Sequence, residues 1–219
     1  MRQLLLLRPE PGLSASADRA RQLGLEVIAC PLFRIEPVAW HAPDPANYDA
    51  LLLTSANAVR FGGPGLDALK TLPAHAVGEA TADAARKAGF DVASVGGGNV
   101  ADLLASLPDN LQLLHLAGEN HRETVGRDLD RRIVYCSATI DEPDLPVLDG
   151  VVAAVHSPRA AARLAELVQE HHGIMIAAIS QAAADAAGTG WERIEVAGEP
   201  NEPSLLALAA MLCHTSPRQ

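Results

Sequence analysis

Asp49-Ala50-Leu51-Leu52-Leu53-Thr54-Ser55-Ala56-Asn57-Ala58-Val59-Arg60-Phe61 is the stretch whose reading decides the fold. It opens as an apolar run of strand length, halts at small hydroxyl residues and continues as an alanine-containing helix former. A strand that feeds a helix through Thr54, Ser55 and Asn57 sets capping side chains and unpaired backbone N–H groups at one edge of a sheet. Such a turn suits an anion, because donors converge there and the helix dipole adds partial positive charge.

The same turn chemistry returns in Asp149-Gly150-Val151-Val152-Ala153-Ala154-Val155-His156-Ser157-Pro158-Arg159. A second pair follows it: Ala76-Val77-Gly78-Glu79-Ala80-Thr81-Ala82-Asp83-Ala84-Ala85 aligns with Ala178-Ile179-Ser180-Gln181-Ala182-Ala183-Ala184-Asp185-Ala186-Ala187. A period of this size means two related lobes, not a solenoid. Around these segments apolar runs alternate with helix formers. Strands are expected at 3–7, 25–30, 50–54, 74–78, 92–95, 111–116, 133–138, 151–155, 174–179 and 193–196.

Helices are expected between most of these strands, at 13–23, 79–88, 159–170, 181–187 and 203–213, with a short one running through Arg132. Ser14 or Ser16 is placed to cap the first helix, and Asn99 or Asp102 the helix that reaches Leu107; Gly24 and Gly89 sit just past helix ends. Repeated β-α pairing implies parallel sheets with crossover helices. The first two strands stand outside the central series, so the N-terminal segment is expected to join the C-terminal lobe. The expected fold is α/β, two similar lobes with parallel sheets flanked by helices, joined by a two-stranded connector. Residues 1–33 plus 145–219 form one lobe, 40–138 the inserted lobe, and 34–39 and 139–144 the connector strands.

At 219 residues the chain is long enough to bury a sizeable core in one domain or two small ones. With 48% hydrophobic and 20% charged residues it is too apolar for disorder. A net charge of -10 argues against a nucleic-acid binder, since neutralising phosphates needs a basic surface. Cys30, Cys136 and Cys213 are odd in number and widely spaced, which gives neither a disulfide framework nor a metal spacing. The four leucines before Arg8 are too few for a signal-peptide core, and no run approaches the ~18 residues of a membrane span. A cytoplasmic, monomeric protein without a membrane partner is expected.

No HExxH, CxxC, phosphate-loop or Gly-x-Ser-x-Gly motif is present. Gly96-Gly97-Gly98 lacks dinucleotide-fingerprint spacing and reads as a turn. The informative groups sit at strand ends, where open parallel sheets bind ligands. Thr54, Ser55, Asn57, Gly78, Thr81, Gly118, Asn120, Arg122, Ser157, Arg159 and Ser180 all fall there. Each alone reads as a helix cap or turn residue; together they outline a binding rim.

These residues resemble the uroporphyrinogen-III synthase family. The likeness rests on Leu7-Arg8-Pro9, on Leu53 to Val59, on Ala76 to Ala82, on Gly118 with Arg122-Glu123, on Val134-Tyr135 and on His156-Ser157-Pro158. It implies two α/β lobes and no metal or cofactor. The implied reaction is closure of the linear tetrapyrrole hydroxymethylbilane to uroporphyrinogen III, with loss of water and inversion of the last pyrrole ring. The substrate carries an acetate and a propionate on every ring, which suits amide and hydroxyl donors.

Carried over by the resemblance, Tyr135 is the catalytic candidate, assisting departure of the hydroxyl. Arg8, Thr54, Ser55, Asn57, Gly78, Thr81, Gly118, Asn120, Arg122, Ser157, Ser180 and Gln181 are the substrate-binding candidates. The sequence departs from the family in three places, one of them the first-lobe helix, which is shortened around Gly62–Gly65. Ser180-Gln181-Ala182-Ala183-Ala184 stands where a Gly-Pro-Thr-Thr-Ala turn is usual, and His156 replaces a usual threonine. A binder of an anionic small molecule on the same lobes is the alternative that those lost hydroxyls keep open. A receiver-like signalling module would need a phosphoacceptor Asp at a strand end, and hydroxyls stand there instead.

Overall fold

The computed structural model describes residues 1–120 and 129–215. The chain divides into two compact units: a terminal unit of Met1–Arg34 with Thr139–Gln219, and an inserted unit of Ile35–Ala138. The terminal unit contains β1 (Leu4–Leu6), α1 (Gly12–Gln22), β2 (Val27–Ala29), β9 (Val152–Val155), α5 (Pro158–Leu167), β10 (Met175–Ala178), α6 (Gln181–Ala187), β11 (Arg193–Val196) and α7 (Glu202–Cys213). The inserted unit contains β4 (Ala50–Leu53), α2 (Ala56–Phe61), β5 (Ala74–Ala76), α3 (Glu79–Lys87), β6 (Val92–Val95), α4 (Val100–Ala105) and β7 (Leu113–Gly118). β3 (Phe33–Pro37) and β8 (Asp130–Thr139) are the strands within which the chain passes from one unit to the other.

The terminal sheet has the order β11-β10-β9-β1-β2 and is parallel throughout. The inserted sheet has the order β3-β8-β7-β4-β5-β6, parallel from β8 to β6. At its edge Val38 N–H donates to the Val134 carbonyl at 3.1 Å. Ile140 N–H donates to the Leu32 carbonyl at 3.0 Å. Residue numbers rise along β3 as they fall along β8, so that pair is antiparallel.

Read from β9 onward, with α7 followed by β1, the terminal unit has its third, second, first, fourth and fifth strands in spatial sequence. The inserted unit has the same order, as β6-β5-β4-β7-β8. The two units are therefore one topology, circularly permuted, and the sequence repeat is its trace.

Alternation along each central strand sorts side chains to two faces, because successive residues in a strand point opposite ways. Leu5, Ala153, Val155, Ile176 and Ala178 meet α5 and α6 through Ala160, Ala161, Leu164, Ala183 and Ala187. Leu4, Leu6, Val152, Ala154 and Ala177 meet α1 and α7 through Leu13, Ala17, Leu205, Ala209 and Leu212. In the inserted unit Leu51, Leu53, Leu114 and Leu116 pack with Ala58 and Val59 of α2 and Ala85 of α3. Leu52 and Leu113 pack with Leu103 and Leu104 of α4 on the opposite face. Burial on both faces explains why these strands read as unbroken apolar runs. Each leucine so buried stabilises the fold by roughly 1.5–3 kcal/mol.

Three local expectations are corrected. Neither Ser14 nor Ser16 caps α1, whose N-cap is Pro11 without a side-chain bond. Ser14 instead bonds the Glu10 carboxylate, and Ser16 is buried. Residues 130–132 are strand and not helix, because Arg131 and Arg132 join the ladder opposite His115 and Leu116. Backbone pairing to a buried parallel neighbour overrides the weak helix preference of an Asp-Arg-Arg run. β8 ends at Thr139, and residues 140–144 of the expected connector form no strand. Gly24 and Gly89, at φ 77° and 88°, stop α1 and α3 in the left-handed conformation that favours glycine.

Candidate active site

In each sheet the winding direction reverses at one place, between β4 and β7 in the inserted unit and between β9 and β1 in the terminal unit. The carboxyl ends of the strands beside such a reversal are where open α/β sheets bind ligands.

In the inserted unit Thr54 follows the last residue of β4, and the chain turns into α2 through Ser55. The Ser55 hydroxyl accepts from Asn57 N–H at 3.1 Å as the N-cap. Asn57 Oδ1 accepts from Arg60 at 3.4 Å. Thr54 Oγ1 lies 2.9 Å from His115 Nε2 on the neighbouring strand, and Arg131 Nε donates to His115 Nδ1 at 3.3 Å from the strand beyond. His115 is buried to 1% exposure within an otherwise apolar β7. That lone polar residue was a legible signal that sequence reasoning missed.

β7 closes on Gly118, opposite Tyr135 of β8. A Cβ at position 118 would lie 2.5 Å from Tyr135 Cζ and 2.8 Å from its Oη, so the phenol rests directly on the glycine. Only a residue without a side chain lets the ring settle there. Gly78 is the N-cap of α3 and offers no side chain, with Thr81 buried in the first turn. Asn120 is exposed in the turn after β7. Arg122 lies outside the described residues. Thr54, Gly118 and Tyr135 thus stand on three adjacent strands at one sheet edge.

In the terminal unit Ser157 and Ser180 are the N-caps of α5 and α6, accepting from Ala160 N–H at 3.2 Å and Ala183 N–H at 3.4 Å. Gln181 turns away along its helix, its amide donating to Asp185 at 2.7 Å. Arg159 donates to Thr139 at 3.1 Å, and its guanidinium lies 4.3 Å over the Phe33 ring.

Arg8, just past β1, donates to Ser16 at 2.9 Å and to Glu202 of α7 at 2.8 Å. Arg19 meets the same carboxylate at 3.1 Å, and Ser16 bonds its other oxygen. Burial pushes the Glu202 carboxyl up, but the Ser16 bond and the charges of Arg8, Arg19 and His156 outweigh it and hold it below the usual range. His156 directly follows β9, in the place Thr54 takes after β4 in the other unit. Both its ring nitrogens are shielded from solvent and lack a hydrogen-bond partner among the described residues. Burial, with the Arg8 charge adding to it, drives its pKa down to about 4 against the pull of Glu202. The residues around Arg8 escaped the sequence reading because Ser16 and Glu202 stand 186 positions apart.

No group of three metal-ligating side chains occurs among the described residues, and no helix there is long and apolar enough to cross a membrane. The family model described as uroporphyrinogen-III synthase HemD matches residues 14–207. The solved uroporphyrinogen-III synthetase from Helicobacter pylori 26695 superposes with a TM-score of 0.67 at 19% identity, over 97% of this chain and 100% of that one. A mutant uroporphyrinogen III synthase from the extremely thermophilic bacterium Thermus thermophilus aligns at 17% identity and a TM-score of 0.48, over 95% of this chain and 98% of that one. No curated protein matches. A family match across most of the chain, on a fold built as these parallel sheets are, places the protein in the uroporphyrinogen-III synthase family.

Proposed function

We propose that the rim residues described above bind the acetate and propionate groups of hydroxymethylbilane, and that Tyr135 assists the chemical step. The protein is a cofactor-independent cyclising lyase that converts this linear tetrapyrrole to uroporphyrinogen III, and the family match over residues 14–207 is the observation that carries this. Loss of the terminal hydroxyl as water leaves an electrophilic azafulvene. The last ring attacks it through a substituted carbon, giving a spiro intermediate that opens and recloses with that ring inverted.

The phenol O–H of Tyr135 serves as a hydrogen-bond donor to the departing oxygen. Holding the two ends of a flexible chain together supplies much of the acceleration, since proximity is worth ~7–11 kcal/mol of barrier. Thr54, Ser55 and the α3 turn of the inserted unit, and Ser157 and Ser180 of the terminal unit, are the carboxylate-binding groups in this reading. The enzyme acts as a cytoplasmic monomer; sedimentation should give one species near 22.9 kDa.

The test is to supply hydroxymethylbilane and separate the product isomers. Type III product above the spontaneous rate is expected. Type I product alone, at the uncatalysed rate, would return the chain to the status of a binder.

A further inference from the structure

We infer that Arg131 and His115 act as positioning residues that turn the Thr54 hydroxyl into a committed hydrogen-bond donor toward a substrate carboxylate. The inference rests on the substrate reading above and assigns a direction to one of its contacts.

The direction follows from the hydrogen-bond inventory. Arg131 Nε carries a proton and can only donate, so His115 Nδ1, its partner at 3.3 Å, must offer a lone pair. A neutral imidazole with an unprotonated Nδ1 carries its proton on Nε2. Nε2 therefore donates across the 2.9 Å contact, and Thr54 Oγ1 accepts. A threonine hydroxyl has one proton, and in this arrangement it is not spent on His115. No other side-chain bond of Thr54 exists among the described residues, and the residue is only half-buried at the carboxyl end of β4.

The three side chains stand in one row on adjacent strands. Arg131 is directly opposite His115 in the ladder, and Thr54 is two residues beyond Leu52, the β4 partner of His115. Side chains so related share a face. A guanidinium at one end thus sets the polarity of a hydroxyl at the other. The outward O–H favours a carboxylate oxygen over a pyrrole N–H, which needs an acceptor. Removing Arg131 takes away the donor that occupies the Nδ1 lone pair, and with it the bond that favours the tautomer protonated on Nε2.

The first test observes the tautomer in the wild-type protein. Nitrogen NMR of histidine-labelled enzyme at neutral pH should show His115 with its proton on Nε2; a proton on Nδ1 overturns the inference. The second test is kinetic. Thr54→Val and Arg131→Met should each raise KM for hydroxymethylbilane on the order of tenfold with kcat little changed, and the double variant should be no worse than either. Thr54→Ser should keep the wild-type KM. Unchanged KM in Thr54→Val, or additive losses in the double variant, would sink the relay. Type III product from the wild-type enzyme is the control: its absence would defeat the substrate reading instead, while the NMR result stands by itself.

Discussion

The two units share a strand order and their serine and asparagine caps, yet they fill the point of reversal with different chemistry. Ser55 and Ser157 cap corresponding helices, as do Asn99 and Asn201. In the inserted unit the reversal point holds a hydrogen-bonded row, Arg131 to His115 to Thr54, that ends in a hydroxyl able to donate outward. In the terminal unit the cation Arg8 is already answered by Glu202, and a half-buried histidine with shielded ring nitrogens stands where the threonine would be. Gly78 and Thr81 are likewise matched by Ser180 and Ala183. A duplicated frame thus keeps two of its side-chain caps and varies the third, Gly78 against Ser180, along with what a ligand would meet.

The largest expected effect lies in the inserted unit. Gly118→Ala should lower kcat by roughly a hundredfold, because displacing a positioned group by about 1 Å costs that much. The driving contact is the 2.5 Å approach of the new Cβ to Tyr135. Steady-state kinetics on the folded variant checks it, with Tyr135→Phe as the companion that removes only the hydroxyl. Wild-type turnover in both would take this edge out of the chemistry.

The next effect belongs to the terminal unit and depends on pH. The folded pKa of His156, about 4, lies below its ordinary 6.5, so between these values the unfolded chain binds the extra proton. Stability is therefore full above pH ~6.5 and falls as pH drops toward 4, by about 2–3 kcal/mol. Glu202, whose carboxyl is held below 4.5, adds a further loss at the acid end. Urea melts from pH 7 to 4 should show the decline, and His156→Leu should flatten it. An equal slope in the variant would remove His156 as its cause.

Glu202→Gln tests whether Arg8 is neutralised or merely accompanied. Losing the carboxylate should destabilise the fold by about 1–3 kcal/mol, since Arg8 and Arg19 lose a shared, partly buried partner. The same change should tighten binding of the polyanionic product, which calorimetry would read. Weaker binding would mean that Glu202 organises the rim for its ligand. The smallest effect is the cap: Ser157→Ala should cost about 1 kcal/mol in thermal or chemical denaturation, and Ser55→Ala about the same. A marked difference between them would show that the shared caps carry unequal loads.

Much of this molecule was written locally. The apolar runs of β4 and β9, the serines that cap α2 and α5, Asn99 at the start of α4, and Gly24 and Gly89 after their helices are all short-range devices. Each acts through the hydrogen bonds and torsions of neighbouring residues, so a linear reading finds them. The repeat made the kinship of the two units visible, and the departures at His156 and at Ser180 to Ala184 could be seen before any fold was in hand.

What tertiary structure decided was every pairing across the fold. Residues 130–132 became strand because a buried neighbour needed their backbone groups, and Ser16 left capping for a carboxylate on α7. His115 reaches Thr54 across 61 positions, and Arg8 finds Glu202 across 194. Local sequence sets torsions, periodicity and caps, whereas the partner of a charged or polar side chain is whichever group the topology brings within hydrogen-bonding reach. That is why the elements were legible in the chain, and why the direction of its hydroxyls and the fate of its charges were not.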